Sequence, residues 1–189
     1  MSGPSGNAPQ ETVDTGGAND TTVLFVCTGN AARSVMGAAL MRLSAPEVRV
    51  TSAGTHSIPG LPMSVRTRSA LDLVGAADPH HRSSQLDDEM AVEASLIVVF
   101  EPMHVAYIRR EMPDAARRTG SLPRLARDLA TGPLATLGDR VADLALHEQD
   151  FEPWEEVVDP AGGDLPVFES AARQIAALVE SFAPRVIGR

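Results

Sequence analysis

The sequence predicts an α/β sandwich with a mainly parallel β-sheet. Residues 22–27 and 95–100 are continuous apolar and β-branched runs, which is typical of strands buried on both faces of a parallel sheet. Each run is followed by a segment with apolar residues at helical spacing. The chain has 189 residues and 43% hydrophobic content, which is enough for one sizeable core and too little for two ordinary domains.

Strands and helices are predicted to alternate along the chain. The predicted strands are residues 22–27, 48–52 and 95–100, and the predicted helices are residues 35–43, 64–74, 102–112 and 165–182. Residues 117–149 are rich in Arg, Leu and Ala and predict two helices, with breaks at Gly132-Pro133 and Gly138. Folds of this class place ligands at the carboxyl ends of strands, and Cys27 lies at such an end.

Composition excludes several classes of function. Residues 1–20 have no aromatic residue, Lys or Arg, so we predict a disordered N-terminal tail before a catalytic domain of residues 21–189. The net charge of -9 argues against nucleic acid and anionic membranes as partners. One cysteine permits no intrachain disulfide, and no Cys/His cluster has zinc spacing. Without a secretory signal or an apolar run near ~20 residues, the protein is expected in the cytoplasm.

The motif CTGNAARS at residues 27–34 carries the chemistry. Five residues separate Cys27 from Arg33, between a buried strand and the start of a helix. Such a turn can curl its N–H groups inward, and the helix adds its positive N-terminal end, so an anion site is expected. Cys27 would then be a thiolate at neutral pH, and Ser34 could donate a hydrogen bond to it. Arg33 can hold two oxygens of a tetrahedral oxyanion, and Gly29 supplies an adjustable backbone.

A second candidate is Asp159, which follows a short apolar run and precedes Pro160. Cleavage of a phosphate ester by a thiolate needs an acid for the leaving oxygen and then a base for water, and one carboxylate can serve both steps. The local sequence is equally compatible with an Asx-type turn. Three histidines, His80, His81 and His104, have no metal-ligand spacing and are predicted to be surface or capping residues.

The segment VLFVCTGNAARS at residues 23–34 resembles the phosphate loop of the low-molecular-weight protein tyrosine phosphatases, and SAGT at residues 52–55 resembles their next signature. Residues 81–86 are similar to the family's middle segment, and Asp159-Pro160 is similar to its general-acid loop. The resemblance implies a three-layer fold with a four-stranded parallel sheet flanked by helices. It also implies a phosphocysteine intermediate, with no metal and no cofactor, and a phosphorylated protein or small phosphorylated molecule as substrate.

The resemblance assigns Cys27, Arg33 and Asp159 to catalysis. The implied phosphate-binding residues are Thr28, Gly29, Asn30, Ala31, Ala32 and Ser34. Ala32 stands where many members carry a second cysteine, and Ile58 and Ala161-Gly162 stand where phosphotyrosine-directed members carry aromatic residues. The alternative function is an arsenate reductase of the same fold, which would depend on an external low-molecular-weight thiol because this chain has no second cysteine.

Overall fold

The computed structural model describes residues 21–132 and 134–189, so the predicted tail lies outside the described residues. Within this part, the chain forms four strands: β1 Thr22–Cys27, β2 Arg49–Gly54, β3 Leu96–Val99 and β4 Thr119–Ser121. The α-helices are α1 Arg33–Ser44, α2 Val65–Leu73, α3 Asp88–Glu93, α4 Pro102–Glu111, α5 Leu122–Asp128, α6 Leu137–Ala142 and α7 Leu165–Val186.

The four strands form one parallel sheet in the order β2-β1-β3-β4. Strand β1 is central, since Val23 is in register with Val50 of β2 and with Leu96 of β3. All six of its residues are buried, as its uninterrupted apolar run predicts. The mainly parallel sheet predicted from the residues and the four strands implied by the resemblance are both confirmed.

Alternate residues of β1 contact two separate helical layers. Val23 and Phe25 face the larger core, which contains the buried residues of α1, α5 and α7. Leu24 and Val26 face the smaller core, which includes Ile108 of α4 and residues of α3. The period of two along a strand therefore gives a three-layer sandwich, with helices on both faces of the sheet.

Two elements were not predicted from residue patterns. Strand β4 lies inside the 117–149 segment, where only helices were predicted, because TGS has too few residues and too little apolar character to show strand periodicity. Helix α3 has six residues, of which only Ala91 is buried, so its amphipathic pattern is weak. The two helices predicted in that segment are present as α5 and α6. Among the described residues, none of the helices has the length and apolar character needed to cross a membrane.

Candidate active site

The phosphate loop, defined here as residues 27–33, leaves the carboxyl end of β1 and enters α1 directly. The carbonyl groups of residues 27–32 accept hydrogen bonds from residues that do not belong to the loop. From Cys27 to Ala32, the successive donors are Thr55 N, His56 N, Ser57 Oγ, His81 Nε2, Thr67 Oγ1 and Met36 N. The donor to acceptor distances lie between 2.8 and 3.2 Å. The surrounding structure therefore holds six consecutive carbonyls outward.

Outward carbonyls leave the amide groups on the inner side of the loop. No acceptor within residues 21–132 or 134–189 is hydrogen bonded to the N–H groups of residues 28–32. The positive N-terminal end of the 12-residue helix α1 adds to this ring of donors. A ring of unpaired amides at a helix N-terminus binds oxyanions, so the predicted anion site is present in the backbone geometry.

The tight turn of the loop depends on Asn30 and Gly54. Asn30 adopts a φ of 50°, the left-handed region that Asn tolerates better than most residues. Gly29 does not adopt a positive φ. The left-handed backbone conformation that the turn requires is adopted by Asn30, and not by Gly29 as its predicted adjustable backbone would suggest. Gly54 in β2 approaches the loop closely, because a Cβ there would lie 2.6 Å from Thr28 O and 2.9 Å from Asn30 N. The glycine of the SAGT segment is therefore needed for close packing.

Cys27 is buried at the bottom of the loop, with 3% of its surface exposed. Its Sγ lies 3.0 Å from Ser34 Oγ. The side-chain amide of Asn30 donates to the same Ser34 oxygen at 2.9 Å, which leaves the Ser34 hydroxyl proton free to point at the sulfur. The contact predicted between Ser34 and Cys27 is confirmed. Asn30 orients this contact and also donates to Ser52 Oγ at 3.0 Å.

Arg33, the first residue of α1, is buried with 1% exposed surface. Its Nη1 donates to the carbonyl of Val157 at 3.1 Å. Its Nη2 lies 2.9 Å from Glu101 Oε1 and 2.9 Å from Asp159 Oδ2. Arg33 Nε is buried and has no hydrogen-bond partner among the described residues. One edge of the guanidinium is thus fixed by protein groups, while Nε retains an unused donor.

Asp159 lies beside Arg33 although the two residues are 126 positions apart in the sequence. Its Oδ1 accepts the N–H of Ala161 at 3.1 Å, which is the Asx-type turn considered from the sequence. Its Oδ2 pairs with the arginine. The side chain is 39% exposed, so the carboxylate is at the mouth of the site. The Asx-type turn is therefore present, and the role of Asp159 as general acid stays a prediction.

Glu101 was not identified from the sequence as a site residue. It lies at the N-terminus of α4, and its Oε1 accepts hydrogen bonds from Arg33 Nη2 at 2.9 Å and from Thr28 Oγ1 at 3.2 Å. Burial alone would raise the pKa of Glu101, but the hydrogen bond and charge of Arg33, with the nearby His104, hold it below its usual value. The sequence did contain a signal for Glu101, because its carboxylate directly follows the apolar run of β3. Residues at the carboxyl ends of parallel strands commonly contribute to ligand sites.

His81 and His104 are buried, which contradicts their prediction as surface or capping residues. His104 Nε2 lies 2.9 Å from Glu101 Oε1 and 3.1 Å from Thr28 Oγ1, and His81 Nε2 contacts the carbonyl of Asn30. Burial lowers the pKa of His104 to about 4. The negative charge of Glu101 opposes this shift, and the positive charge of Arg33 adds to it. The prediction failed because the partners of these histidines in the phosphate loop, Thr28 and Asn30, are distant in the sequence. His80 is exposed, as predicted.

The mouth of the site has few aromatic side chains. Ile58 is 70% exposed, and Ala161 beside Asp159 is also exposed. His56, whose N–H is bonded to the Thr28 carbonyl, packs edge-on against Tyr107 with 5.5 Å between ring centroids. Among the described residues, no group of three or more His, Cys, Asp or Glu side chains is placed to hold a metal ion.

Sequence comparisons place the site in a known family. Residues 22–131 match the sequence profile of the low molecular weight phosphotyrosine protein phosphatases. A protein-arginine-phosphatase of Geobacillus stearothermophilus is 30% identical over 165 residues, which covers 87% of this chain and 95% of that protein. The probable low molecular weight protein-tyrosine-phosphatase EpsP of Ralstonia nicotianae is 29% identical over 165 residues, with the same coverage.

Structural comparison gives the same result. The YwlE arginine phosphatase from Geobacillus stearothermophilus superposes with a TM-score of 0.69 at 29% identity, covering 86% of this chain and 90% of that chain. The tyrosine phosphatase amsI from Erwinia amylovora, 21% identical, shares the fold with a TM-score of 0.68 over 86% of this chain and 90% of its own. The chain therefore belongs to the low molecular weight phosphotyrosine protein phosphatase family.

Proposed function

We propose that this protein hydrolyses phosphate monoesters or related phosphoryl compounds through a phosphocysteine at Cys27. The observation that carries the proposal is the ring of unpaired amides of residues 28–32, with the Cys27 sulfur at the base of the loop and the Arg33 guanidinium beside it. These donors suit the three non-bridging oxygens of a phosphoryl group. The thiolate is then the nucleophile adjacent to the phosphorus.

The thiolate form of Cys27 is favoured by its surroundings. Ser34 can donate its hydroxyl proton to the sulfur at 3.0 Å, because Asn30 occupies a lone pair of the same hydroxyl. The inward amides and the N-terminal end of α1 add positive potential at the base of the loop. Attack of the sulfur on phosphorus forms the S–P bond and breaks the bond to the leaving group.

Arg33 acts as the phosphate clamp in this mechanism. Its unpaired Nε–H and an Nη2–H can bind two phosphoryl oxygens, once the substrate takes the place of Asp159 at Nη2. The bonds of Arg33 to Val157 and Glu101 keep the guanidinium plane in position while this exchange occurs. Lysine cannot reproduce this two-pronged contact because its ammonium is a point charge.

Asp159 serves as general acid and then as general base. Substrate phosphate displaces its carboxylate from Arg33 toward the mouth, where the leaving group departs. In its protonated form Asp159 delivers a proton to the leaving atom, and as the carboxylate it then takes a proton from the water that attacks phosphocysteine. The second step breaks the S–P bond, restores the Cys27 thiolate and releases inorganic phosphate.

The substrate is a phosphorylated protein or a small phosphorylated molecule. The relatives described above are named for phosphotyrosine and for phosphoarginine, and the small residues Ile58 and Ala161 leave space for either leaving group. The phosphatase names of these relatives favour ester or phosphoramidate cleavage over arsenate reduction. A reducing compartment suits the single nucleophilic cysteine, so we place the reaction in the cytoplasm.

Acid-quench mass spectrometry during turnover of an aryl phosphate tests the mechanism. The wild type should carry one added phosphoryl group on the peptide that contains Cys27. Cys27→Ser should abolish steady-state turnover and retain phosphate binding, because the loop amides and Arg33 remain. Appreciable turnover by that variant would refute the covalent mechanism. A parallel assay with arsenate and a small thiol tests the alternative, and arsenite release at a rate matching the phosphatase rate would favour it.

A further inference from the structure

Three side chains pack beside the phosphate loop without a part in the proposed chemical steps: those of Thr28, Glu101 and His104. Thr28 is the first residue after the nucleophile, and the other two lie in the first turn of α4 or immediately before it. His104 is fully buried and Glu101 is 14% exposed. A buried ionisable pair costs folding free energy unless all its hydrogen bonds are made. Each polar atom of Glu101 and His104 is therefore expected to have a partner.

One oxygen of Glu101 accepts hydrogen bonds from two side chains. Its Oε1 lies 2.9 Å from Arg33 Nη2 and 3.2 Å from Thr28 Oγ1, and the ring of His104 lies alongside with its Nε2 at 2.9 Å. The carboxylate thereby joins the first residue after Cys27 to the arginine that ends the loop. Thr28 and Arg33 are five positions apart in the chain, and Glu101 fixes the distance between their side chains from outside the loop.

The tautomer of His104 follows from its other ring nitrogen. Nδ1 accepts the backbone N–H of Phe100 at 3.4 Å, so the ring proton of the neutral imidazole is on Nε2. That proton is donated to Thr28 Oγ1 at 3.1 Å, and the Thr28 hydroxyl in turn donates to Glu101 Oε1 at 3.2 Å. Because burial lowers the pKa of His104 to about 4, the ring stays neutral at physiological pH and supplies a single directed donor.

The arrangement controls the orientation of Arg33. When the substrate takes the place of Asp159, the remaining protein partners of the guanidinium are Glu101 at Nη2 and the Val157 carbonyl at Nη1. Of the two carboxylates near Arg33, Glu101 is held more firmly than Asp159, since it is more buried and accepts hydrogen bonds from both Arg33 and Thr28. Any movement of Glu101 therefore rotates the guanidinium edge that binds the phosphoryl oxygens.

We propose that His104 is a positioning residue for the phosphate clamp, which acts through Glu101 and Thr28 to hold Arg33 in the orientation that the transition state requires. This inference rests on the proposed phosphatase function. A trigonal-bipyramidal transition state needs both phosphate-binding N–H groups of Arg33 in fixed positions. Loss of the His104 hydrogen bond should therefore lower mainly kcat and the affinity for vanadate, which mimics that state. Inorganic phosphate, a tetrahedral ligand, is less sensitive to a rotated clamp.

The test compares His104→Leu with His104→Gln in the full chain, using an aryl phosphate as substrate. Leucine removes the donor, whereas glutamine can place an amide N–H near the position of Nε2. We expect His104→Leu to lower kcat and vanadate affinity by about 10- to 100-fold, because the Thr28 hydroxyl that bonds Glu101 is left without the buried donor that orients it. His104→Gln should keep both within roughly threefold of the wild type, since the donor is restored.

Ile108→Val is the matched structural control. Ile108 is fully buried one turn farther along α4 and packs on the smaller core, so this variant lowers thermal stability without touching Glu101. Its kcat and vanadate inhibition should equal those of the wild type. Equal behaviour of His104→Leu and Ile108→Val would overturn the proposal, because the histidine would then matter only for stability. Equal losses in His104→Leu and His104→Gln would also overturn it.

A second measurement does not depend on turnover. Long-range ¹H–¹⁵N NMR of the wild type should show His104 as the neutral Nε2–H tautomer at pH 6 to 7. A charged ring or an Nδ1–H tautomer in that range would refute the proposal, even if His104→Leu fails to fold. An inactive wild type with the expected tautomer would instead contradict the phosphatase function and leave the hydrogen-bond assignment intact.

Discussion

The carboxylate of Asp159 forms an ion pair with the guanidinium of Arg33, with 2.9 Å between Oδ2 and Nη2. The proposed acid therefore occupies the position on the arginine at which a substrate oxygen would bind. In the proposed mechanism, a substrate oxygen replaces Asp159 at Arg33 Nη2, so phosphate binding and release of Asp159 toward the leaving group are a single exchange. The proposed acid would then reach the leaving atom only when the loop is filled.

Asp159→Asn should slow poor leaving groups far more than good ones. Loss of a general acid usually costs about 10²- to 10⁴-fold for an alcohol or unactivated phenol, whereas a nitrophenolate leaves without a proton. The measurement is kcat/KM, which reports the step in which the leaving group departs, for a series of aryl phosphates that differ in leaving-group pKa. The slope of log kcat/KM against that pKa should become steeper in the variant. A uniform loss across the series would contradict the role of Asp159.

Gly54→Ala should disrupt the phosphate loop from the neighbouring strand. The added Cβ would lie 2.6 Å from Thr28 O and 2.9 Å from Asn30 N, both of them backbone atoms, so the loop itself must move. Such overpacking costs about 1–3 kcal/mol of folding free energy. A displacement of about 1 Å at the reacting groups lowers the rate on the order of 10²-fold.

The control for this variant is Gly138→Ala in α6, where the nearest atom to an added Cβ is Thr136 Oγ1 at 3.7 Å. Its activity should be unchanged and its free energy of unfolding equal or higher. Urea unfolding and vanadate inhibition of both variants give the comparison. Full vanadate affinity in Gly54→Ala would show that the loop tolerates the methyl group.

The buried His104 should make folding stability fall between pH 6.5 and 5. Its pKa is about 4 in the folded protein and near 6.5 in the unfolded chain, so below pH 6.5 the unfolded state binds the extra proton. The contribution is complete above pH 6.5 and is lost as the pH falls toward 4. At pH 5 the loss is roughly 2 kcal/mol relative to pH 7.

Urea unfolding of the wild type and of His104→Gln at pH 7 and pH 5 measures this contribution. The lowered pKa of Glu101 adds its own dependence at more acidic pH, so pH 5 is the lower limit of the comparison. Groups that the substitution leaves unchanged contribute to both proteins and cancel in the difference. If the two proteins lose the same free energy of unfolding, then His104 does not titrate as its environment indicates.

Aromatic side chains at the mouth should improve recognition of phosphotyrosine. Ile58→Trp with Ala161→Tyr adds two rings at exposed positions. Aromatic pairs contribute about 0.5–1.5 kcal/mol each, so KM for phosphotyrosine peptides should fall roughly ten- to a hundredfold. The KM for a small alkyl phosphate should change little. Tight phosphotyrosine binding by the wild type without a gain in the double variant would show that other residues, such as Tyr107 and His56, already form the wall.

Much of the fold and the reacting residues could be derived from the sequence, because their signals are local. The apolar run of β1, the polar turn after Cys27 and the helix that begins at Arg33 are contiguous, and backbone rules act over such distances. The C-terminal helix was also predicted, although it extends to Val186 rather than ending at Phe182. Asp159 was identified through the Asp-Pro motif, and its pairing with Arg33 was not visible in the local sequence.

Only the tertiary structure determined which groups surround these residues. Glu101, His81 and His104 become site residues because parallel strands bring their carboxyl ends to one edge of the sheet, and their partners in the phosphate loop are 51 to 76 positions away in the chain. Strand β4 has three residues and is stabilised by its pairing with β3, so it has no pattern of its own. The sequence by itself therefore determined the proposed nucleophile Cys27, the proposed clamp Arg33, and the strand and helix that position them. Folding decided their partners and the burial that lowers the pKa of His104, because long-range contacts and desolvation exist only in the assembled core.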